Sequence, residues 1–164
     1  MILLVAALMP SAAFSQSADT IVIRSFGNIS NFNPLLTSDG ASYQAYSLLW
    51  PGPFLTDTFT GAAVPGLTSW TISDDGLTYT FKIRDGAVWS DGTPITANDM
   101  AFSIGAIVSP QLDTVLESNV TSIDHVNVID DQTYEVVLKS PDCAALSNLA
   151  IFIEPPRWRP SPAN

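Results

Sequence analysis

The segment "GLTYTFKIRDGAVWSDGTPITANDM", from Gly76 to Met100, decides how this chain folds. In its first part Tyr79, Phe81 and Ile83 alternate with polar residues. An apolar side chain at every second position predicts a strand that buries one face and exposes the other. Two Asp-Gly pairs follow, and such pairs favour tight turns because aspartate bonds to its own backbone and glycine tolerates positive φ.

The end of the segment predicts a helix. Thr96 stands three positions before Asp99, which is the spacing of a capping box. The run "MAFSIGAIV" (Met100–Val108) is apolar at helical spacing, so we expect this helix to be largely buried. Pro110 should end it, because proline cannot continue a helix.

Further strands flank this segment. In "SWTIS" (69–73) Trp70 and Ile72 share one face, and Asp74-Asp75-Gly76 supplies the turn into the next strand. A second pair, "SIDHVNVID" (122–130) and "TYEVVLK" (133–139), is joined by a turn at Asp130-Asp131-Gln132. Hairpins and helices in clusters favour an α+β fold with a mainly antiparallel sheet.

The rest of the chain carries weaker signals. The remaining predicted elements are a strand at Thr20–Phe26, a helix at Ala41–Trp50, a short strand at Phe54–Phe59 and a short helix at Cys143–Ala150. Either Ser38 or Asp39 could cap the helix at Ala41–Trp50, and Pro51-Gly52-Pro53 should end it. Trp50 and Trp89 lie beside proline and glycine turns, so we expect both rings to be partly exposed.

Composition narrows the class of protein. The 164 residues suit one domain, and 46% hydrophobic against 13% charged residues allow a packed core. A net charge of −10 argues against nucleic acid and anionic membrane surfaces as partners. The charge suits a soluble extracytoplasmic protein, and also a cationic ligand.

The two ends differ from the body. The apolar run "ILLVAALM" is followed by small residues at Ala13-Phe14-Ser15, which predicts a signal peptide over residues 1–15 with cleavage before Gln16. The run is too short to span a bilayer, so no direct membrane insertion is expected. A buried N-terminal helix is the alternative. The last ten residues, 155–164, contain four prolines and predict a disordered tail.

Catalytic chemistry is poorly supported by the sequence. Cys143 is the single cysteine, and we expect it to be a small buried residue rather than a reactive thiol. His125 is the single histidine and is expected to be structural. The chain shows no Ser-His-Asp motif and no metal-ligand spacing, so we expect no catalytic residues, no metal site and no cofactor.

A longer stretch, "VPGLTSWTISDDGLTYTFKIRDGAVWSDGTPITANDM", resembles the signature region of the family 5 extracellular solute-binding proteins, the peptide, nickel and opine receptors of ABC importers. Its "TYTFKIRDG" is similar to the family's "YTF-x-LR-x-G", and its "WSDGTPITANDM" to "F/W-x-DG-x-P-x-T-A-x-D-V". Two flanking segments also match: "NFNP" (31–34), with Asn33 where the family has aspartate, and "VIDDQTYEVVLKSPD" (128–142). The resemblance covers Ile21 to about Pro155.

This resemblance implies a periplasmic, monomeric receptor with two lobes that close over a small-molecule or peptide ligand and then dock on a membrane permease. Whether the ligand is a peptide, nickel, an opine or a sugar stays open. Family members are much longer, so residues 16–154 are expected to form an incomplete N-terminal part. They would supply only the first strand of the main lobe and a small antiparallel-sheet subdomain. The alternatives are a small secreted hydrolase and a non-functional gene fragment.

The resemblance also implies candidate ligand contacts. In peptide-binding relatives the segment after the "DP" loop lends backbone groups to the ligand, and the aligned residues here are Ser38, Asp39 and Gly40. The alternative is that Ser38 or Asp39 only caps the following helix. Tyr46 and Trp50 are candidates for lining the cleft, with core packing as their alternative.

Overall fold

The computed structural model describes Val22, Arg24, Ser25 and residues 27–154. The predicted signal peptide (1–15) and the predicted tail (155–164) lie outside the described residues, as does most of the predicted strand Thr20–Phe26. In chain order the elements are α1 (Gly40–Tyr46), β1 (Phe54–Thr56), β2 (Ala63–Pro65), β3 (Thr68–Ile72), β4 (Thr78–Ile83), α2 (Ala97–Val108), a 3₁₀ turn (Glu117–Val120), β5 (Ile123–Val128), β6 (Thr133–Leu138) and α3 (Ala145–Asn148).

Four strands form the main antiparallel sheet in the order β3-β4-β6-β5. The two central strands alternate buried and less buried positions along their length. Phe81 pairs with Tyr134 across them, and their rings stack with centroids 5.0 Å apart. β1 and β2 form a separate two-stranded sheet. The predicted α+β fold with an antiparallel sheet is confirmed.

Helix α2 begins where the capping-box signal predicted. Thr96 is the N-cap, and the Asp99 carboxylate accepts the Thr96 backbone N–H at 2.9 Å. One face of the helix packs into the core with Met100, Ile104 and Ile107. The opposite face carries exposed apolar side chains such as Phe102, so the helix is less fully buried than its apolar sequence predicts.

Helix α1 is shorter than predicted and ends at Tyr46 instead of Trp50. The next residues form turns in which Leu49 and Trp50 both donate their backbone N–H groups to the Tyr46 carbonyl. Leu48 and Leu49 are exposed, so no packed face stabilises another helical turn. Pro51 also disfavours helical backbone at the residue before it.

Two other expectations need correction. The strand predicted at Phe54–Phe59 stops at Thr56, because Asp57 accepts backbone hydrogen bonds from Phe59 and Thr60 and folds the chain into a turn. The predicted burial of Cys143 is wrong, since its side chain is exposed just before α3. Helix α3 spans only four residues, and Ala145 is its buried residue.

Candidate ligand-binding site

An open groove of about 1430 Å³ runs along one side of the molecule. Its walls come from four places in the chain: the turns after α1, strands β1 and β2, the loop after β4, and residues 150 and 152 before the described end. Thr68, the first residue of β3, ties the chain that follows β2 to the segment that precedes β1. Its backbone N–H and its hydroxyl both donate to the Pro53 carbonyl, at 2.6 and 2.8 Å.

Two tryptophans form the inner part of the groove. Trp50 donates its indole N–H to the Phe32 carbonyl at 2.8 Å, and Trp89 donates to the Asp99 carboxylate at 3.1 Å. The two rings meet edge to face with centroids 6.5 Å apart. Both are only partly exposed, as predicted. Hydrogen bonds therefore hold these rings in fixed orientations, which lowers the entropy cost of binding a ligand against them.

The groove combines apolar walls with a charged rim. The exposed side chains of Leu49, Leu55 and Val88 face solvent there, and each exposes more than half of its surface. Arg84 and Asp91 supply one positive and one negative charge to the lining. Ligand sites are typically apolar with a few polar groups that fix orientation.

The Asp39 side chain caps the N-terminus of α1. Its carboxylate accepts the Ser42 backbone N–H at 2.9 Å and the hydroxyls of Ser30 and Thr37 at 2.6 and 2.7 Å. The hydrogen bond from Ser30, followed by that from the Ser42 backbone, holds the pKa of Asp39 well below its ordinary value. The capping alternative therefore describes what this side chain does here. Ser38 and Gly40 beside it are exposed.

Tyr46 and Trp50 have different positions. Tyr46 is 4% exposed, its ring contacts Tyr43 and Phe152 edge to face, and burial raises the pKa of its hydroxyl. It offers almost no surface to a ligand. Tyr43, one turn earlier, is more than half exposed and lines the groove with Trp50. Sequence reasoning missed Tyr43, although its spacing of three from Tyr46 places the two on neighbouring positions of one helix.

The structure separates the predicted contacts into two places. Trp50 lies in the groove, whereas Ser38, Asp39 and Gly40 lie at the start of α1 and are not part of the groove lining. The helix between them has seven residues and is about 10 Å long at the usual rise per residue. Arg84, Leu55 and Val88 were not predicted, because each lies in a loop or short strand that only the tertiary fold brings to the groove.

Other sites have less to support them. His125 sits 2.7 Å from the Asp124 carboxylate on the exposed edge strand β5. In the part of the chain that the structure describes, no group of three or more histidine, cysteine or acidic side chains could hold a metal ion. Over the same residues, no helix has the length and apolar content that crossing a membrane requires.

Residues 63–163 match the sequence profile of the bacterial extracellular solute-binding proteins, family 5 Middle, and the chain belongs to this family. It is 31% identical to the probable peptide ABC transporter periplasmic-binding protein of Sinorhizobium fredii and 31% identical to the dipeptide-binding protein of Escherichia coli. These alignments cover 88% and 86% of this chain but only 27% and 30% of the relatives. The chain thus spans less than a third of their length.

Solved structures agree with this assignment. NikZ from Campylobacter jejuni, in complex with Ni(L-His), is similar at a TM-score of 0.71 and 29% identity, over 80% of this chain and 26% of NikZ. The oligopeptide-binding protein AppA from Bacillus subtilis, in complex with a nonapeptide, gives a TM-score of 0.70 at 26% identity, over 76% of this chain and 25% of AppA. The described residues therefore have the fold of one part of a periplasmic binding protein of family 5.

Proposed function

We propose that this chain is the N-terminal part of a receptor that binds a small solute such as a peptide and delivers it to the membrane permease of an ABC importer. The observation that supports this most is the apolar groove with a charged rim, found in a chain whose residues 63–163 match a solute-binding family. The proposed role is binding, with no catalytic step. Monomeric state and the absence of nucleic acid as a partner belong to the same proposal.

A peptide-like solute fits the groove best. Relatives are named for peptides, dipeptides and glutathione, and NikZ holds a nickel complex of histidine. These ligands share amino acid chemistry, with amino and carboxylate groups on a partly apolar body. In the groove, Arg84 and Asp91 offer charges of both signs beside the rings of Trp50 and Trp89. Ser38, Asp39 and Gly40 remain proposed contacts that would use backbone groups at a separate place.

Ligand screening with the purified chain tests this function. Dipeptides, glutathione and nickel–histidine should raise the melting temperature, because a ligand that binds only the folded state stabilises it by about 2.7 kcal/mol at one hundred times Kd. A sugar serves as the comparison ligand. Replacing Trp50 with alanine should weaken the affinity for the peptide at least about tenfold, because the variant loses a large aromatic contact in the binding site.

The matched control is Trp70→Ala, which removes a half-buried tryptophan that does not line the groove. The melting temperature of each variant is measured with and without ligand, so that a loss of stability is separated from a loss of binding. If no peptide-class ligand shifts the melting of the parent chain, the proposed function is wrong. If Trp50→Ala binds the peptide-class ligands as tightly as the parent chain does, the groove is not the site.

We further propose that residues 1–15 direct export to the periplasm, the compartment printed in the name of the Sinorhizobium fredii relative. A fusion of residues 1–30 to alkaline phosphatase, an enzyme active only after export, should give active enzyme in a bacterial host. A matched fusion that begins at Gln16 should stay inactive. Equal activity of the two fusions would contradict this part of the proposal.

A further inference from the structure

Glu154, the last residue that the structure describes, is an unusual acid because it is almost completely buried. Only 3% of its surface is exposed. One carboxylate oxygen accepts a long hydrogen bond of 3.4 Å from the side-chain amide of Asn33. The other oxygen has no hydrogen-bond partner. A buried carboxyl group that is so poorly paired strongly favours its neutral form, since burying an unpaired charge costs far more than burying a neutral acid.

Glu154 also joins three distant parts of the chain. Its backbone N–H donates to the Ser103 hydroxyl of α2 at 2.8 Å, and that hydroxyl in turn donates to the Asp99 carbonyl one turn earlier. On the other side, Asn33 uses its side-chain oxygen to accept the Leu35 backbone N–H at 2.7 Å. Glu154 therefore lies where the 31–35 loop, α2 and the 151–154 segment meet, with its carboxylate bonded to the loop and its backbone bonded to α2.

The hydrogen-bonding groups that hold Glu154 are neutral. The Asn33 amide from the loop bonds to the carboxylate, and the Ser103 hydroxyl from α2 bonds to the backbone of Glu154, while the one acid on α2, Asp99, bonds to Trp89 and Thr96. Within the described part of the chain, no lysine, arginine or histidine side chain pairs with Glu154. Arg157 and Arg159 follow in the sequence and lie outside the described residues.

We propose that Glu154 is an acid-responsive clamp: in its neutral form it keeps the 151–154 segment seated between α2 and the 31–35 loop, and ionisation releases this contact. The clamp does not depend on the proposed solute-binding function. The clamp would, however, make the conformation of the loop that leads into Ser38 and Gly40 depend on pH. Asn33 bonds both to Glu154 and to the Leu35 backbone within that loop.

The direction of the pH effect follows from proton linkage. Burial raises the pKa of Glu154 from 4.5 to about 7, and the hydrogen bond from Asn33 offsets only part of that rise. Between these two values the seated state keeps a proton that the released state has lost, so raising the pH favours release. Below the ordinary pKa both states are protonated, and above the raised pKa both are ionised, so the dependence levels off at each end.

Hydrogen exchange measured at pH 5 and pH 8 tests the clamp, with E154Q as the permanently neutral comparison. Comparing the two proteins at the same pH cancels the intrinsic pH dependence of exchange. At pH 5 the backbone amides of Leu35 and of position 154 should exchange at similar rates in both proteins. At pH 8 they should exchange at least about tenfold faster in the parent, the factor that one pKa unit represents.

Two controls isolate the local event. E117Q neutralises an exposed glutamate and should behave like the parent. The amide of Val136, in the centre of the sheet, should show no difference between parent and E154Q, since the segment is released without global unfolding. If the ratio of the parent's exchange rate to that of E154Q stays constant from pH 5 to pH 8, the clamp is wrong. Slower exchange in the parent than in E154Q at pH 8 would also contradict the clamp. That outcome is expected if a cation such as Arg157 pairs with Glu154.

A second measurement needs no variant of Glu154, in case E154Q does not fold. The chain contains three glutamates, at positions 117, 135 and 154. Labelling glutamate carboxyl carbons and following them by NMR through pH 3 to 9 should reveal one resonance with a midpoint near 7. Its assignment follows from its persistence in E117Q and in E135Q. If all three midpoints lie at ordinary glutamate values, the clamp is excluded.

Discussion

The sheet half of the described chain (residues 68–154) and its N-terminal half (residues 27–67) differ in how consistently they bury apolar side chains, although each half contains both buried and exposed ones. In the sheet half, Tyr79, Phe81 and Ile83 on β4 are 6%, 1% and 1% exposed. In the N-terminal half, Leu48 and Leu55 are 69% and 62% exposed, although they are equally apolar. An apolar residue is thus buried where neighbouring strands give it a partner face, and stays in solvent where the described chain supplies no such face.

Polar contacts are more prominent in the N-terminal half. Ser42 is fully buried, and its hydroxyl accepts the backbone N–H groups of Ser30 and Asn31 at 2.9 and 3.2 Å. Asn33 fixes the next turn through Leu35, and Trp50 is bonded to the Phe32 carbonyl. We therefore expect burial of apolar area to dominate the stability of the sheet half, and satisfied hydrogen bonds to dominate that of the N-terminal half.

The largest effect is expected from Phe81→Ala, at the centre of the sheet half. Phe81 is 1% exposed and stacks on Tyr134, so its removal leaves a cavity in the main core. We expect the free energy of unfolding to fall by about 3–5 kcal/mol, as for other buried phenylalanines. Urea denaturation followed by circular dichroism measures the loss.

Phe59→Ala is the matched control, because Phe59 is 98% exposed at the turn between β1 and β2. The same substitution there should change stability by less than about 0.5 kcal/mol, the usual range for surface sites. Equal losses of unfolding free energy in the two variants would contradict the expected difference between the two halves. It would mean that something in solution covers Phe59 as fully as the sheet covers Phe81.

The elements predicted correctly from the sequence are those specified by neighbouring residues. Thr96 and Asp99 are three positions apart and mark the start of α2, and the alternation on β4 and β6 gives both strands and their buried faces. The short strand β2 was missed, because three residues carry too little periodicity and pair only with β1. Cys143 was expected to be buried on residue type alone, but it lies exposed in the turn that precedes α3.

The groove could be predicted only in part. Trp50 was recognised because proline and glycine follow it directly in the sequence. Tyr43, Arg84 and Val88 were not recognised, since they come from separate parts of the chain. Contacts such as that of Thr68 with the Pro53 carbonyl bring these parts together across fifteen positions, and no local pattern encodes them. A groove built from loops and short strands can therefore be recognised only in the tertiary structure.

A smaller effect is expected from Ser42→Ala in the N-terminal half. The variant removes the hydroxyl that accepts two backbone N–H groups and leaves the Ser30 and Asn31 donors without this acceptor. We expect a loss of about 1–2 kcal/mol, because the donors are partly buried and water can replace only some of the lost bonding. Urea denaturation again measures the change, with the exposed Ser47→Ala on the same segment as control.

Amide exchange shows which parts of the molecule lose stability in Ser42→Ala. If hydrogen bonds hold the N-terminal half locally, Ser42→Ala should speed amide exchange at Ser30, Asn31 and Ser42 while leaving Val136 in the sheet unchanged. Phe81→Ala should instead speed exchange at Val136, because that amide opens with the main core. Equal acceleration at all four amides in Ser42→Ala would show that both halves unfold as one cooperative unit. The two halves would then differ in how they are packed but would share one free energy of unfolding.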